Sequence, residues 1–282
     1  MSVSMYKIWL EETSLSRNTI NAYLNDLKHF EKWFKETNGE ELAPEKVTRL
    51  DTQDYFSYLN RKYQPRTVNR RMAAVRHYLK KAIENNYIDS MPSFSGPVRF
   101  QRYAPKHMDR LQQKALERIV RASGNKRDIA IIVFVLETGL RVSEVVNIKY
   151  EDLVLRERSG EVKVYGKGAK DRIVPLSAEA RKVLRAYFEK HPPLKGEYIF
   201  RGQRGPLGSR ALEKIIQKYL YQAKLTEEGF SFHSLRHTFA KRLVDRGESL
   251  EKIAALLGHE NLNYVMVYTY PTLEDLRKVV EK

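Results

Sequence analysis

The sequence contains no cysteine, and that absence removes several kinds of chemistry at once. Disulfide bonds, thiolate metal sites and cysteine nucleophiles all require a residue that the chain lacks. The absence also favours a reducing compartment. Stability must come from packed cores, and 282 residues with 42% apolar content suffice for two domains.

Long apolar runs are missing as well. The longest run spans residues 129–136, which is far short of the roughly 20 residues that a membrane helix needs. The N-terminus carries no apolar stretch of the signal-peptide type. The sequence therefore predicts a cytoplasmic protein without a membrane partner.

Acidic residues are few in comparison with basic ones. The chain has 51 Lys and Arg against 35 Asp and Glu, a net charge of +16. Such an excess attracts polyanions, of which nucleic acid is the commonest. The alternative is a basic cytosolic protein with no such partner.

The basic excess is most concentrated over residues 61–81, which include eight Lys or Arg side chains and no carboxylate. A charge run is usually a solvated helix face, but a run without balancing acids favours contact with phosphates. Arg172 and Lys170, in the second half, also suit phosphate contact. The predicted DNA contacts are Arg66, Arg70, Arg71, Arg76, Lys80, Lys81, Lys170 and Arg172.

Helical periodicity dominates the first part of the chain. Ser16 can cap a helix whose apolar residues recur at helical spacing through Phe34, and further helices are predicted over residues 52–61 and after Pro65. Prolines and a glycine then interrupt the periodicity. The predicted organisation is a helical domain over residues 1–91, a linker over 92–107 and a second domain over 108–282.

The second domain is also predicted to be mainly helical, with one small sheet. Gly139 is placed to end the helix that contains residues 129–136. Three short antiparallel strands are predicted over residues 152–155, 161–165 and 172–176. Helices are predicted to follow over residues 178–190, 208–223, 234–246, 250–257 and 273–280.

Two arginines and a lysine in this domain suit attack on a phosphodiester. Arg141 and Arg236 stay protonated and can form paired hydrogen bonds to the oxygens of a phosphate. Lys167 stands between two glycines, where a turn presents its ammonium for proton donation to a leaving oxygen. Taken alone, Arg141 also fits a surface arginine at the start of a helix, and Lys167 is more often an ordinary basic hairpin tip.

Histidines complete the set around Arg236. His233 can accept a proton or donate a hydrogen bond at the reacting phosphate, whereas His237 is expected to pack or cap. The spacing also fits metal ligation, but the cationic Arg236 disfavours a metal there. His259 follows Gly258, which can end a helix and turn the imidazole toward the same centre.

A tyrosine is the candidate nucleophile, and the residues alone leave three of them open: Tyr264, Tyr268 and Tyr270. A phenol with a pKa of about 10 needs a base and a positive field before it attacks. The other candidate catalytic residues, in chain order, are Arg141, Lys167, His233, Arg236 and His259.

In this order and with these local motifs, the set resembles that of the tyrosine recombinase family. The resemblance selects Tyr268, because the family's nucleophile follows the histidine of its Leu-Gly-His motif by nine positions. It extends to the N-terminal helices, which look like the family's core-binding domain. It implies DNA cleavage through a 3′-phosphotyrosyl link, a reaction that requires neither a metal nor a cofactor. Tyr270 departs from the histidine that many relatives have there, but it lies outside the catalytic set.

Among subfamilies, the short two-domain chain looks most like the Xer recombinases. That likeness implies double-stranded DNA as substrate, a dif-like site at which chromosome or plasmid dimers are resolved, and a homotetramer on paired sites. It allows an accessory recombinase or translocase. The alternatives are an integrase of a mobile element, a type IB topoisomerase and a catalytically silent DNA-binding protein.

Overall fold

A computed structural model describes residues 3–13, 15–99, 103–166, 171–202 and 205–281 of the chain. The chain divides into two compact units, Met1–Gln101 and Arg102–Lys282. Both are mainly helical and the second adds a small three-stranded antiparallel sheet, so the predicted fold class is confirmed. Within the described ranges, no helix combines the length and apolar character needed to cross a bilayer.

The first unit is a helical bundle. Its helices are α1 (Val3–Glu11), α2 (Arg17–Asn38), α3 (Arg49–Lys62) and α4 (Pro65–Glu84). The side chain of Ser16 accepts a hydrogen bond from the amide of Thr19 at 3.2 Å, so α2 begins where the sequence predicts. The pattern of the sequence predicts no helix before Ser16. Helix α1 is short, and the fully buried Tyr6 and Leu10 attach it to the core of the unit.

The chain after α4 stays on the first unit. The Thr52 hydroxyl donates to the carbonyl of Ser93 at 2.7 Å. The side chain of Asn69 bonds both backbone groups of Val98, donating at 3.0 Å and accepting at 2.9 Å. The first part of the segment predicted as a linker, residues 92–107, therefore packs along α3 and α4.

The second unit surrounds a buried helix with further helices and the sheet. Its helices are α5 (Arg110–Ala122), α6 (Lys126–Thr138), α7 (Val142–Val145), α8 (Ala178–Phe188), α9 (Ser209–Gln222), α10 (Phe232–Asp245), α11 (Leu250–Leu257), α12 (Asn263–Met266) and α13 (Leu273–Val280). Its strands are β1 (Leu153–Leu155), β2 (Gly160–Val164), β3 (Arg172–Pro175), β4 (Arg201–Gly202) and β5 (Gly205–Pro206).

Strands β1, β2 and β3 pair in chain order, and each neighbouring pair is antiparallel. Val162 is opposite Leu153 on one side and Val174 on the other. Alternate residues of a strand share one face, so Val162 and Val164 point to the same side of the sheet. Together with Val174 they are buried in the core. The sheet thus packs one face on the helices and holds Arg172 at the start of β3.

Helix α6 is the centre of the second unit. All its residues from 128 to 136 are buried, and it packs against α5, α8 and α10. Gly139 ends it with a φ of 64°, a left-handed conformation that glycine adopts without strain. A Cβ at this position would lie 2.3 Å from Cδ1 of Phe239. Glycine is therefore required both for the turn and for the close approach of α10.

Replacement of Gly139 by alanine tests this double requirement. Gly124, with a φ of 65° and nothing within 4 Å of a built Cβ, is a matched control in the same unit. Gly124→Ala should lose about 1–2 kcal/mol of the free energy of unfolding through backbone strain. Gly139→Ala should lose about 1–3 kcal/mol more through overpacking. Urea unfolding of the full chain measures both; equal losses would show that Phe239 does not restrict this position.

Candidate active site

Side chains from five parts of the second unit meet at one end of α10. They come from the turn after α6, from α7, from the start of β3, from the first turns of α10 and from the segment that follows α11. The residues are Arg141, Glu144, Arg172, Arg236, His237, His259 and Tyr268.

Glu144 is the buried carboxylate that joins the arginines. Arg172 donates to both its oxygens at 2.9 Å, and Arg141 donates from its backbone amide at 2.7 Å and from Nη1 at 2.9 Å. Nη1 of Arg236 lies 3.9 Å from the same carboxylate. Burial alone would raise the pKa of Glu144, but these hydrogen bonds and charges hold it below its ordinary value. The carboxylate stays ionised and fixes two guanidinium groups.

Arg236 is almost completely enclosed, with 4% of its surface exposed. It donates to the carbonyls of Gly139 at 2.7 Å and Leu257 at 2.8 Å, where α6 and α11 end. The carbonyl end of a helix carries partial negative charge and so stabilises a cation. Burial and then the charge of Arg141 lower the pKa of Arg236 to about 10, so it remains protonated at neutral pH.

Arg141 is the more open guanidinium, with 34% of its side chain exposed. Among the described residues, its guanidinium contacts besides Glu144 are long, at 3.3 Å to the carbonyl of Leu257 and 3.4 Å to that of Gly258. Hydrogen bonds of that length are weak. Arg141 therefore keeps donor capacity for an incoming group, whereas Arg236 is already fixed in place.

Gly258 makes room for Arg172. Its φ is 66°, and a Cβ there would lie 2.7 Å from Nη1 of Arg172. Arg172 passes this position, donates to the carbonyl of Leu256 at 2.8 Å and continues to Glu144. Arg172 was predicted to contact DNA, but in this structure its guanidinium is directed inward to that carboxylate.

His259 contacts the guanidinium of Arg236 through its Nε2, at 3.0 Å. Since arginine can only donate, Nε2 is the acceptor and the proton of the neutral ring is assigned to Nδ1. Burial, followed by the charges of Arg236, Arg141 and Arg172, lowers the pKa of His259 to about 4. The ring of Tyr264 stacks on the imidazole with centroids 5.5 Å apart.

Tyr268 is buried, with 2% of its surface exposed, among Phe239, Leu257 and Val265. Its hydroxyl forms a 2.8 Å hydrogen bond with Nδ1 of His237. Burial raises its pKa, while the charges of Arg236 and Arg141 act in the opposite direction. From the sequence alone, His237 is expected to pack or cap. Its position one helical turn after His233 was the only signal for a role at the site.

Two predicted catalytic residues, His233 and Lys167, remain, and the structure describes only the first of them. His233 is exposed in the first turn of α10, and its ring centroid lies 6.2 Å from that of His237. Lys167 and the predicted DNA contact Lys170 lie outside the described residues. In the described ranges, no group of three or more His, Asp or Glu side chains is arranged to hold a metal ion.

The other predicted DNA contacts lie on α4 of the first unit. Arg66, Arg70, Arg76 and Lys80 are exposed. Arg70 pairs with the buried carboxylate of Asp26, Arg76 lies over the ring of Phe94, and Lys80 and Lys81 pair with Glu84.

Arg71 points inward instead. It stacks over the ring of Tyr63 at 4.0 Å and contacts Nε2 of His29 at 2.8 Å. The burial of Asp26 raises the pKa of that carboxyl, and the charges of Arg70 and Arg71 oppose the shift. Asp26 thus pairs with the exposed Arg70 and the half-buried Arg71 of α4.

Comparison with known proteins gives matches over nearly the whole chain. The profile described as the phage integrase family matches residues 109–274, and that of the phage integrase N-terminal SAM-like domain matches residues 4–86. The chain is 32% identical to Tyrosine recombinase XerC of Staphylococcus carnosus, over 95% of this chain and 91% of the relative. It is 32% identical to Tyrosine recombinase XerD of Ralstonia nicotianae, over 96% and 89%.

A solved structure of the XerH site-specific recombinase, bound to its difH substrate in a pre-cleavage complex, has the same fold. Its TM-score is 0.74 at 22% identity, over 93% of this chain and 78% of that one.

The role of Glu144 can be tested by its replacement with glutamine. Glu144→Gln leaves the guanidiniums without their counter-charge, and removing one partner of a buried ion pair costs about 3–5 kcal/mol. Glu179→Gln, the control, removes a surface partner of Arg121 that is 41% exposed and should cost about 0–1 kcal/mol. Urea unfolding at pH 7 measures both losses, and similar losses would contradict the anchoring role.

The pH dependence of the Glu144 contribution has a defined sign. Because the folded-state pKa of Glu144 is lowered, its stabilisation is present above its unfolded pKa and is lost as pH falls through the folded value. The difference between wild type and Glu144→Gln should therefore shrink on acidification below about pH 4.3.

Proposed function

The chain belongs to the phage integrase family and is a tyrosine recombinase, an enzyme that breaks and rejoins DNA strands, and from that premise we propose that Tyr268 attacks DNA to form a 3′-phosphotyrosyl intermediate. The supporting observation is the convergence of Arg141, Arg236 and His259 near this tyrosine. Both guanidinium charges are close enough to Tyr268 to act on its pKa against the effect of burial.

The scissile phosphate binds at the two arginines. Arg236 offers a fixed, buried charge, and the partly exposed Arg141 turns its free donors to the nonbridging oxygens. His259, whose Nε2 faces Arg236, keeps its Nδ1 proton for a further hydrogen bond. Preorganised donors of this kind stabilise the charge that develops on phosphate oxygens in the transition state.

Two further side chains complete the reaction. The exposed His233, in the first turn of α10, donates a hydrogen bond to the phosphate. Lys167, which in the sequence follows β2, donates a proton to the departing 5′ oxygen, since an alkoxide is a poor leaving group. The phosphotyrosyl link retains the energy of the phosphodiester, so resealing requires no nucleotide cofactor.

The substrate is double-stranded DNA carrying a short dif-like site, and the biological reaction is resolution of chromosome or plasmid dimers. Support comes from the XerC and XerD relatives and from the XerH likeness, whose partner is a difH substrate. Exchange takes place within a homotetramer on paired sites, with an accessory recombinase or translocase as a further partner.

The exposed arginines of α4 bind the DNA backbone. Arg66, Arg70 and Arg76 project from one exposed part of the first unit, and the contact between Arg70 and the buried Asp26 limits the freedom of its guanidinium. An arginine that is already ordered loses less conformational entropy when it binds a phosphate. This basic surface adds affinity without reading bases.

A suicide duplex tests the nucleophile. A binding site is first selected from a randomised duplex library with the wild-type chain and then nicked near the cleavage point, so that the cleaved strand diffuses away. Wild type should accumulate a covalent protein–DNA adduct, and Tyr268→Phe should form none because it lacks the attacking oxygen. Denaturing gel electrophoresis measures the adduct.

Tyr264→Phe and Tyr270→Phe are the matched controls, since each removes the same hydroxyl from a neighbouring position. Both should retain the adduct. An adduct with Tyr268→Phe, or the absence of one with wild type, would refute the proposed mechanism. A two-site plasmid then tests the biological reaction: relaxation without exchange between sites would favour a topoisomerase.

A further inference from the structure

The hydroxyl of Tyr268 has a specific partner that the six-residue set does not include. Nδ1 of His237 lies 2.8 Å from it, and the two rings are 5.6 Å apart. His237 belongs to α10, the helix that also carries His233 and Arg236. The contact joins residues 31 positions apart and places a titratable ring directly on the proposed reacting oxygen.

His237 is neutral at physiological pH. Burial is the main cause, and the positive charges that neighbouring His233, Arg236, His107 and His259 carry when protonated add to it, lowering its pKa to about 4. A neutral imidazole has one nitrogen free to accept a proton. By contrast, His233 is exposed to solvent, and its ring centroid lies 6.2 Å from that of His237.

Resting on the proposed function, we propose that His237 is a further catalytic residue, the base that takes the phenolic proton of Tyr268 as its oxygen attacks the phosphorus. In cleavage the O–H bond of Tyr268 breaks and an N–H bond forms on His237. The bond from Tyr268 Oη to phosphorus forms as the bond to the 5′ oxygen breaks, and that oxygen takes its proton from Lys167.

The reverse step uses the same groups. In rejoining, the 5′-hydroxyl attacks the phosphotyrosine and returns its proton to Lys167, while the imidazolium of His237 gives its proton back to the departing phenolate. No proton is gained or lost over the cycle. The transient charge on His237 arises beside a bound phosphate, whose negative charge offsets the neighbouring guanidiniums.

The test measures single-turnover cleavage of the suicide duplex by His237→Gln. Glutamine can keep a hydrogen bond to the tyrosine but cannot take up its proton, so cleavage should fall by about 10²–10⁴-fold. The control is His191→Gln, which makes the same change at an exposed histidine whose ring centroid lies 5.3 Å from that of Tyr187. This variant should leave the rate unchanged. A rate equal to or above wild type in His237→Gln would overturn the proposal and show that the bond only restrains Tyr268.

Fluorinated tyrosine at position 268 separates proton transfer from a structural role. Its phenol is more acidic and depends less on a base, so it should restore cleavage in His237→Gln far more than it changes the wild-type rate. Equal effects in the two backgrounds would contradict the base role.

A further measurement keeps His237 and therefore does not depend on whether His237→Gln folds. In the otherwise unchanged chain, stepwise fluorination should alter the cleavage rate only weakly, because deprotonation is coupled to His237. A steep increase would mean that solvent removes the proton and would overturn the proposal. If wild type forms no adduct at all, the proposed function fails first, and the role of His237 fails with it.

Discussion

The arrangement of charges at the candidate active site depends on one buried carboxylate. Glu144 receives hydrogen bonds from Arg141 and Arg172 and lies near Arg236, so three guanidiniums can occupy a space that would otherwise repel them. Two helix ends contribute as well, because the carbonyls of Gly139, which caps α6, and Leu257, which ends α11, accept from Arg236. Glu144 and these carbonyls together turn a cluster of like charges into a stable arrangement.

The three arginines of this cluster differ in exposure and in how they are bonded. Arg236 is buried, Arg172 has 12% of its side chain exposed, and both are bonded within the fold, whereas 34% of the Arg141 side chain is exposed. Three guanidiniums against one carboxylate leave an excess of positive charge, which an entering phosphate can neutralise. Arg172 and Arg236 therefore contribute positive charge from fixed positions, and Arg141 keeps donor capacity on the exposed side. Tyr268 and His237 lie in this field, which favours the phenolate and the neutral imidazole.

Local patterns made much of this visible in the sequence. The cap at Ser16, the left-handed Gly139 and the strand pairing follow from short motifs, and Arg141, Arg236 and His259 are indicated by motif order. Contacts between distant residues are different. The sequence predicts that Arg172 contacts DNA, but its partner Glu144 lies 28 positions away, and His237 meets Tyr268 across 31 positions. No periodicity encodes such pairs, because they arise only when α7, β3, α10 and the segment after α12 pack together.

The central claim is that Arg141 and Arg236 hold the scissile phosphate while Arg172 stays on Glu144. A crystal structure of Tyr268→Phe bound to an uncut duplex tests it most directly. The account predicts that both nonbridging oxygens accept hydrogen bonds from Arg141 and Arg236, and that the Arg172 bonds to Glu144 persist. Release of Arg172 from Glu144 to bind the phosphate, or a phosphate bound away from Arg141, would contradict it.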